Sequence, residues 1–295
     1  MTWARHTLAN RPLYVWAPDD RGRAYPTVYV LHAHMRSAES WFNVTPFEPS
    51  YPDRIESLGP EAVVVLLDGW TECGGGQWIG EHTAYLCDEV VPFVDREYPT
   101  NGLRALQGKS SGGYGAIVNA LARPDLFAAV AAHAPDALFE VTTANGFPAA
   151  ARELRDRHGG SSETFWSTFE GLRSHADALL VELTAVARAF GDGTLPFDEV
   201  GRVRADVFER WLEHDPVRLV ARHADAVRAL RAVWLDAGRS DEYFLDLGAA
   251  ALREALLTAG LPEGRLRFEL VDGGHGGMSC RYPLSLSWLV ERLQL

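Results

Sequence analysis

The feature that most constrains this fold is a regular alternation of short apolar runs, rich in β-branched residues, with longer stretches of helical spacing. Short runs of this kind are typical of buried strands, and apolar residues three and four positions apart are typical of helices. Strands that alternate with helices predict the α/β class, a mainly parallel central sheet flanked by helices. The predicted strands are residues 13–16, 27–31, 62–67, 103–107, 128–133, 231–236 and 266–271, and the clearest helices are residues 81–97, 113–122 and 245–259.

One long segment interrupts this alternation. Residues 137–211 are helix-rich and contain several large aromatic side chains, and they hold no strand-like run. We interpret them as a helical cap inserted into a core formed by residues 1–136 and 212–295. Helices that decorate the core away from the functional site are the alternative. A chain of 295 residues is long enough for one large α/β domain with such an insertion.

The composition argues against polyanionic partners. The formal net charge is −12, from 28 basic and 40 acidic residues, which disfavours nucleic acid and anionic membrane surfaces. The sequence shows no basic start followed by an apolar run, so we expect no signal peptide. No apolar stretch reaches the roughly 18 residues of a membrane span. Cys73, Cys87 and Cys280 are odd in number and match no zinc spacing. We therefore expect a cytoplasmic protein with reduced thiols, and the sequence leaves open whether it forms a homo-oligomer.

A Gly-x-Ser-x-Gly pattern joins the predicted strand 103–107 to a helix of small residues, with Gly108, Ser110 and Gly112 at its fixed positions. In this context the pattern predicts a strained turn that lifts the serine hydroxyl above the sheet at a helix N-terminus. A Gly/Ser turn without chemistry is the alternative. A phosphate-binding P-loop is excluded because it requires glycine where Leu103 stands. We predict that Ser110 is a nucleophile.

A serine nucleophile needs a base, and the best-placed histidine is His275. It follows the last predicted strand within a run of glycines, which let the loop fold back towards the sheet edge. The third member of such a site is a carboxylate that orients the imidazole. Asp241, on the loop after strand 231–236, fits the chain order of serine, acid and histidine. Asp236 and Asp136 are the alternatives for the acid.

An acyl-transfer site also needs backbone N–H donors for the oxyanion. We predict the N–H of Ser111, directly after the nucleophile, and the N–H of His34 in the loop after strand 27–31, with Met35 as the neighbour that could replace it. Tryptophans on loops after strand ends are candidates for an apolar substrate pocket, with ordinary packing as the alternative. These are Trp41, Trp70 and Trp78.

Two further features carry alternative hypotheses. Lys109, the only lysine, adjoins the predicted nucleophile; we expect it to point away and brace the turn, with binding of an acidic substrate group as the alternative. His32 and His34 stand at one strand end, where alternate side chains can bind one metal, as in metal-dependent hydrolases. His133 and His275 could complete such a site. This hypothesis leaves the serine pattern unexplained, so we expect no metal and no other cofactor.

Five segments of the chain, several of them discussed above as strands and as the serine turn, resemble the Putative esterase family of α/β-hydrolases. This family includes esterase D-like enzymes, feruloyl esterases, enterochelin esterase-like proteins and the antigen 85 mycolyltransferases. The resemblance implies the α/β-hydrolase fold and carboxylic ester hydrolysis by a serine esterase, and it places the acid at Asp241. Two features depart from the family: glycine is common where Ala33 stands, and the insertion after Ala137 is long. The similar segments are residues 25–32, 88–95, 108–116, 235–241 and 274–275, which span nearly the whole chain.

The resemblance leaves other classes of function open. Some members of the family transfer the acyl group to an alcohol instead of water, and an acyltransferase would use the same triad. A non-catalytic binding protein is a further alternative, because a fold does not fix a function. The complete set of Ser110, Asp241 and His275 argues against that alternative. The predicted partner is a small-molecule ester.

Overall fold

The computed structural model describes residues 3–20, 22–43, 47–71 and 75–295. At its centre is an eight-stranded sheet in the order β1-β2-β4-β3-β5-β6-β7-β8. Strand β2 runs antiparallel to its neighbours β1 and β4, and every other pair is parallel. The strands are β1 Ala4–Leu8, β2 Arg11–Trp16, β3 Tyr25–Leu31, β4 Val63–Leu67, β5 Thr100–Ser110, β6 Ala129–Pro135, β7 Ala232–Gly238 and β8 Leu266–Val271.

Helices connect the strands and cover both faces of the sheet. The helix predicted over residues 81–97 is present as α2, a π-helical turn at Tyr85–Val90, and α3. The helices are α1 Tyr51–Leu58, α2 Glu81–Ala84, α3 Val91–Glu97, α4 Ser111–Ala122, α5 Phe139–Thr142, α6 Phe147–Arg157, α7 Ser162–Thr168, α8 His175–Ala189, α9 Ala205–Leu212, α10 Pro216–Arg222, α11 Ala224–Ala229, α12 Leu245–Thr258 and α13 Arg281–Gln294.

All the predicted strands are present, which confirms the α/β class. Strand β5 continues three residues beyond the predicted segment at each end, because its pairing with β3 and β6 reaches the serine itself. Strand β1 was not predicted. It lies at the sheet edge, pairs only with β2, and none of its residues is fully buried, so it lacks the apolar run that marks the inner strands.

Alternate residues of the inner strands pack into two separate cores. On β5, Leu106 belongs to the core that contains α4 and α12, whereas Ala105 belongs to the core that contains α1 and α13. Both residues are completely buried. Because all strands from β4 to β8 are parallel, their carboxyl ends meet at one edge of the sheet. The loops after these ends are where ligand sites of open α/β sheets form.

Helices α5 to α9 occupy residues 139–212, the segment interpreted as a cap. They build a third hydrophobic core of their own, centred on aromatic side chains such as Phe147, Phe165 and Trp211. Tyr114 of α4 is part of this core, so the segment packs against the helix that begins after the serine.

Candidate active site

Ser110 stands at the junction of β5 and α4 with φ 55° and ψ −125°. A positive φ is rare for a residue with a Cβ, and such strain persists only where the surroundings enforce it. Here the enforcement is close backbone packing: a Cβ on Gly108 would lie 2.2 Å from the carbonyl oxygen of Gly112. A Cβ on Gly112 would lie 2.2 Å from the carbonyl oxygen of Leu31. The glycines of the sequence pattern therefore allow the turn that presents the Ser110 hydroxyl.

A histidine and a carboxylate meet at the same edge of the sheet. His275 Nδ1 lies 2.9 Å from Asp241 Oδ2, and the Asp241 carboxylate also accepts the N–H of Tyr243 at 2.9 Å. Burial raises the pKa of Asp241, but hydrogen bonds and the charge of His275 outweigh it and hold that pKa below its ordinary value. The N–H of His275 also donates to Glu242 Oε2 at 2.6 Å, which anchors the histidine loop.

The Ser110 hydroxyl donates to Asp136 Oδ1 at 3.2 Å rather than to the histidine. Among the described residues no hydrogen bond joins Ser110 and His275. Asp136 follows β6 and is 7% exposed. Its Oδ2 accepts a hydrogen bond from Gln77 Nε2 at 3.2 Å. Burial raises the pKa of Asp136, although the hydrogen bond from Gln77 and the charge of His275 act against it. Sequence reasoning missed Gln77, which lies in a loop without a recognisable pattern.

The third carboxylate, Asp236, lies elsewhere. It is completely buried at the end of β7 and accepts hydrogen bonds from His133 Nδ1 at 2.6 Å, Trp234 Nε1 at 2.7 Å and Arg281 Nε at 2.9 Å. Its oxygens are therefore occupied by partners within the core. Of the three candidates, Asp241 is the one in contact with His275.

The arrangement of serine, histidine and aspartate is accompanied by a match of the whole chain to a protein family. The model of the family described as Putative esterase matches residues 6–289. The chain belongs to this family. It is therefore a carboxylic ester hydrolase of the serine type, as the resemblance of its sequence segments implied.

Solved structures agree with this esterase in fold. A ferulic acid esterase is 18% identical, with 99% of this chain and 97% of that chain covered and a TM-score of 0.60. The S-formylglutathione hydrolase FrmB from Staphylococcus aureus is 15% identical, with 98% of each chain covered and a TM-score of 0.59. MPT51 (FbpC1) of Mycobacterium tuberculosis is 16% identical, with 99% of each chain covered and a TM-score of 0.64. At these identities the likeness establishes the fold, which is that of the α/β-hydrolases.

The residues predicted to supply oxyanion donors lie beside the serine. Ser111 is the first residue of α4 and is completely buried. His34 is 7% exposed in the loop after β3, and its Nε2 lies 3.1 Å from Gln77 Nε2. The next residue, Met35, has a positive φ of 57°. Because Gly112 packs directly on the end of β3, this loop and the serine turn are neighbours in the esterase.

The histidine pair at the end of β3 is engaged in other contacts. His32 Nδ1 lies 2.9 Å from the carbonyl oxygen of Ala33, and His32 Nε2 accepts the N–H of Gly69 at 2.8 Å. Both ring nitrogens of His133 are also occupied, by Asp236 and by Ser285. Across residues 3–20, 22–43, 47–71 and 75–295, no three His, Cys, Asp or Glu side chains lie close enough together to hold a metal ion.

The three tryptophans occupy different environments, and two of them do not fit the predicted pocket. Trp78 is 1% exposed and fills space left by Gly69 and Gly115, with its Nε1 donating to the carbonyl oxygen of His32 at 2.9 Å. Trp41 packs against the rings of Tyr51 and Tyr282, with centroids 5.0 and 5.3 Å away. Both are packing residues. Trp70 is 48% exposed beside Met35 and Arg36 and stays a candidate for substrate contact.

Lys109 is partly buried directly before the serine, and its role in bracing the turn stays a prediction. Its ammonium group has no hydrogen bond or ion pair with any described residue. Burial lowers the pKa of Lys109, and the charges that oppose this shift most are those of Asp241 and Asp136.

A cavity of about 420 Å³ separates α8 from the loop after β4. Gly76, Gln77 and Ile79 line one side, and Ala185 and Ala189 line the other. Gln77 connects this cavity to Asp136 and so to the serine. None of the described helices of the esterase is long and apolar enough to cross a membrane.

Proposed function

We propose that this esterase works through an acyl-enzyme on Ser110, with His275 as general base and Asp241 as the carboxylate that orients it. The observation that carries the proposal is the 2.9 Å contact between Asp241 Oδ2 and His275 Nδ1 beside the serine turn. A proton on Nδ1, held by the carboxylate, leaves Nε2 to accept the proton of the serine.

The reaction follows in two halves. Ser110 Oγ attacks the ester carbonyl carbon as His275 Nε2 takes the hydroxyl proton. The backbone N–H groups of Ser111 and His34 hold the oxyanion of the tetrahedral intermediate. The intermediate collapses, the carbon–oxygen bond to the alcohol breaks, and the alcohol leaves with the proton from His275. Water then attacks the acyl-enzyme with His275 as base, which releases the acid and restores the serine.

Catalysis requires the Ser110 hydroxyl to exchange partners. In the resting arrangement it donates to Asp136 Oδ1, and a rotation about its Cα–Cβ bond would direct it to His275. Hydrogen bonds of this kind often form fully only when substrate is bound. Substrate that occupies the space beside Asp136 would favour this exchange.

We also propose that residues 137–211 act as a cap that borders the substrate site. The cavity between α8 and the loop after β4 supports this role, because Ala185 and Ala189 face Gln77 across it. The wall contributed by α8 consists of Ala185, Arg188 and Ala189, and the two alanines leave room for a substrate group. Trp70 would contact substrate at the open side of the site.

The test compares wild type with Ser110→Ala on p-nitrophenyl esters of graded acyl length, with and without EDTA. We expect wild-type turnover to survive EDTA and the variant to lose at least about a thousandfold in kcat. Ser285→Ala, which removes a buried hydroxyl elsewhere, is the matched control. A fluorophosphonate adduct found by mass spectrometry on Ser110 would identify the nucleophile directly. Turnover that persists in Ser110→Ala and disappears with EDTA would instead favour the metal hypothesis at His32 and His34.

Hydrolysis is distinguished from acyl transfer by the products. With alcohols added to the reaction, a hydrolase releases the free acid, whereas an acyltransferase forms a new ester. We expect the free acid to dominate.

A cytoplasmic location is proposed on the cysteines. Cys87 is buried and Cys280 is exposed, and both are free thiols; Cys73 lies outside the described residues. Free thiols are stable in a reducing compartment. Fractionation of cells that produce the protein, with thiol titration of the purified chain, tests the location, and sedimentation tests whether a homo-oligomer forms.

A further inference from the structure

A chain of hydrogen bonds joins the loops on either side of the serine strand. Strand β5, which ends at Ser110, lies between β3 and β6 in the sheet. His34 is in the loop after β3, and Asp136 directly follows β6. The amide of Gln77 joins the two, since its Nε2 lies 3.1 Å from His34 Nε2 and 3.2 Å from Asp136 Oδ2. Asp136 Oδ1 in turn accepts the Ser110 hydroxyl at 3.2 Å.

One amide nitrogen serves both partners of Gln77. It carries two N–H groups, one for His34 and one for Asp136. The carboxylate fixes the orientation of the amide, because the reversed amide would place Oε1 against an oxygen of Asp136. Burial raises the pKa of Asp136, and the hydrogen bond from Gln77 is the strongest interaction that opposes this rise. Gln77 is 2% exposed, so both bonds lie in a region of low dielectric, where such bonds are strong.

The backbone that carries Gln77 is itself held in place. The next residue, Trp78, has a positive φ of 56°, a strained conformation that persists only where the surroundings enforce it. Its carbonyl oxygen accepts Asn119 Nδ2 of α4 at 2.7 Å, and its Nε1 donates to the carbonyl oxygen of His32 at 2.9 Å. Gln77 therefore extends from a segment that is bonded both to the helix after the serine and to the loop after β3.

We propose that Gln77 is a positioning residue that holds the loop of His34 against the serine turn, so that the backbone N–H of His34 meets the oxyanion. The proposal rests on the acyl-enzyme function proposed above and adds a side chain that touches no reacting atom. Oxyanion donors stabilise a transition state best when they are fixed before the charge develops. A displacement of about 1 Å in such a loop can lower the rate about a hundredfold.

Gln77→Met tests the proposal, because it removes both N–H donors and keeps the length of the side chain. Rates on p-nitrophenyl esters are divided by the concentration of reactive serine, titrated with a fluorophosphonate. We expect kcat to fall about ten- to a hundredfold and KM to stay within about threefold. Gln107→Met is the matched control: Gln107 is also buried, and its amide donates to Ser285 and to the carbonyl oxygen of Tyr282. It should lower stability but keep kcat within about threefold.

A second readout measures oxyanion binding without turnover. A trifluoromethyl ketone forms a bond from its carbonyl carbon to Ser110 Oγ, the hydroxyl proton passes to His275, and the carbonyl oxygen becomes the oxyanion. Its inhibition constant should rise in Gln77→Met by the same factor by which kcat/KM falls, since both report the stability of the oxyanion. A variant that only lowers the folded fraction leaves this constant unchanged.

His34→Phe breaks the same bridge at its other end and keeps the backbone N–H. We expect a loss of kcat similar to that of Gln77→Met. The double variant should be no worse than the poorer single variant by more than about threefold, because one bridge is then broken twice. Losses that multiply in the double variant would overturn the bridge.

The outcomes separate the positioning role from the catalytic proposal. An unchanged kcat and inhibition constant in Gln77→Met would overturn the positioning role while leaving Ser110 catalysis intact. A raised KM with unchanged kcat would also overturn it, since Gln77 would then bind substrate. Turnover of the same esters by Ser110→Ala would reject the catalytic proposal instead.

Discussion

The described residues include two arrangements of serine, histidine and aspartate, and we interpret the one with the shorter hydrogen bonds as structural. In the first, Ser285 Oγ lies 2.9 Å from His133 Nε2, and His133 Nδ1 lies 2.6 Å from Asp236. All three side chains are completely buried. Judged by distances alone, this would be the catalytic triad.

The second arrangement is Ser110, His275 and Asp241, in which the serine and the histidine are not hydrogen-bonded. Its histidine side chain is 18% exposed, and its serine occupies a strained turn at a helix N-terminus. Ser285 lies inside helix α13 instead, so a substrate carbonyl could not reach it and no free backbone N–H adjoins it. Our assignment of Ser110 therefore rests on access and free backbone donors rather than on a short serine–histidine distance.

The largest effect that separates the two arrangements is on turnover. Asp241→Asn should lower kcat on the order of 10⁴-fold, because the amide favours the wrong tautomer of His275. Asp236→Asn should stay within tenfold of wild type when rates are divided by the concentration of reactive serine, titrated with a fluorophosphonate. A larger loss in Asp236→Asn would indicate that Asp236, in the buried arrangement, is the catalytic acid.

The free energy of unfolding should show the opposite order, with a larger loss in Asp236→Asn than in Asp241→Asn. Asp236→Asn leaves Arg281 and His133 without their buried anionic partner, so the free energy of unfolding should fall by about 3–5 kcal/mol. Asp241→Asn should lower it less, because His275 remains partly in solvent. Urea denaturation at pH 7 followed by tryptophan fluorescence measures both. Equal losses in the two variants would show that the exposed pair is also structural.

The sequence predicted the parts of the site that depend on local pattern. The serine turn follows from a strand, glycines at fixed spacing and a small-residue helix, and the packing of Gly108 and Gly112 explains why those glycines are needed. His275 could be found because it follows the last strand within glycines. The choice of Asp241 rested on loop position and resemblance, and its contact with His275 supports that choice.

Parts of the site that depend on distant packing could not be predicted. Gln77 belongs to a loop that approaches the serine only in the folded chain, and no local pattern distinguishes it. Trp78 was predicted to line a pocket because it lies on a loop, but Gly69 and Gly115 leave space that buries its ring. Loop position predicts proximity to the site, whereas burial depends on neighbours far away in sequence.

A smaller effect tests the buried serine. Ser285→Ala removes the partner of His133 Nε2 and one of the two acceptors of Gln107 Nε2, which lies 2.7 Å from the hydroxyl and also donates to the carbonyl oxygen of Tyr282. We expect the free energy of unfolding to fall by about 1–3 kcal/mol, the cost of leaving buried polar groups unpaired. Ser167→Ala, on an exposed face of α7, should change it by less than about 0.5 kcal/mol. A loss of turnover in Ser285→Ala without a loss of stability would contradict the structural role.

The last effect concerns Glu182, a carboxylate of helix α8 that belongs to neither arrangement. The pKa of Glu182 is raised from 4.5 to about 8, so the folded chain binds this proton more tightly than the unfolded chain does. Its contribution to stability is therefore fully present below pH 4.5 and is lost as pH rises towards 8. Glu182→Gln removes this dependence, and we expect it to be more stable than wild type at pH 8 by about 1 kcal/mol or more, with little difference near pH 5. The charge of Asp136 contributes to the raised pKa of Glu182 in wild type and has no such effect on glutamine. Thermal unfolding of both proteins and of the exposed control Glu199→Gln between pH 5 and 8 gives the result, and parallel curves for wild type and Glu182→Gln would show that Glu182 is not held in an uncompensated site.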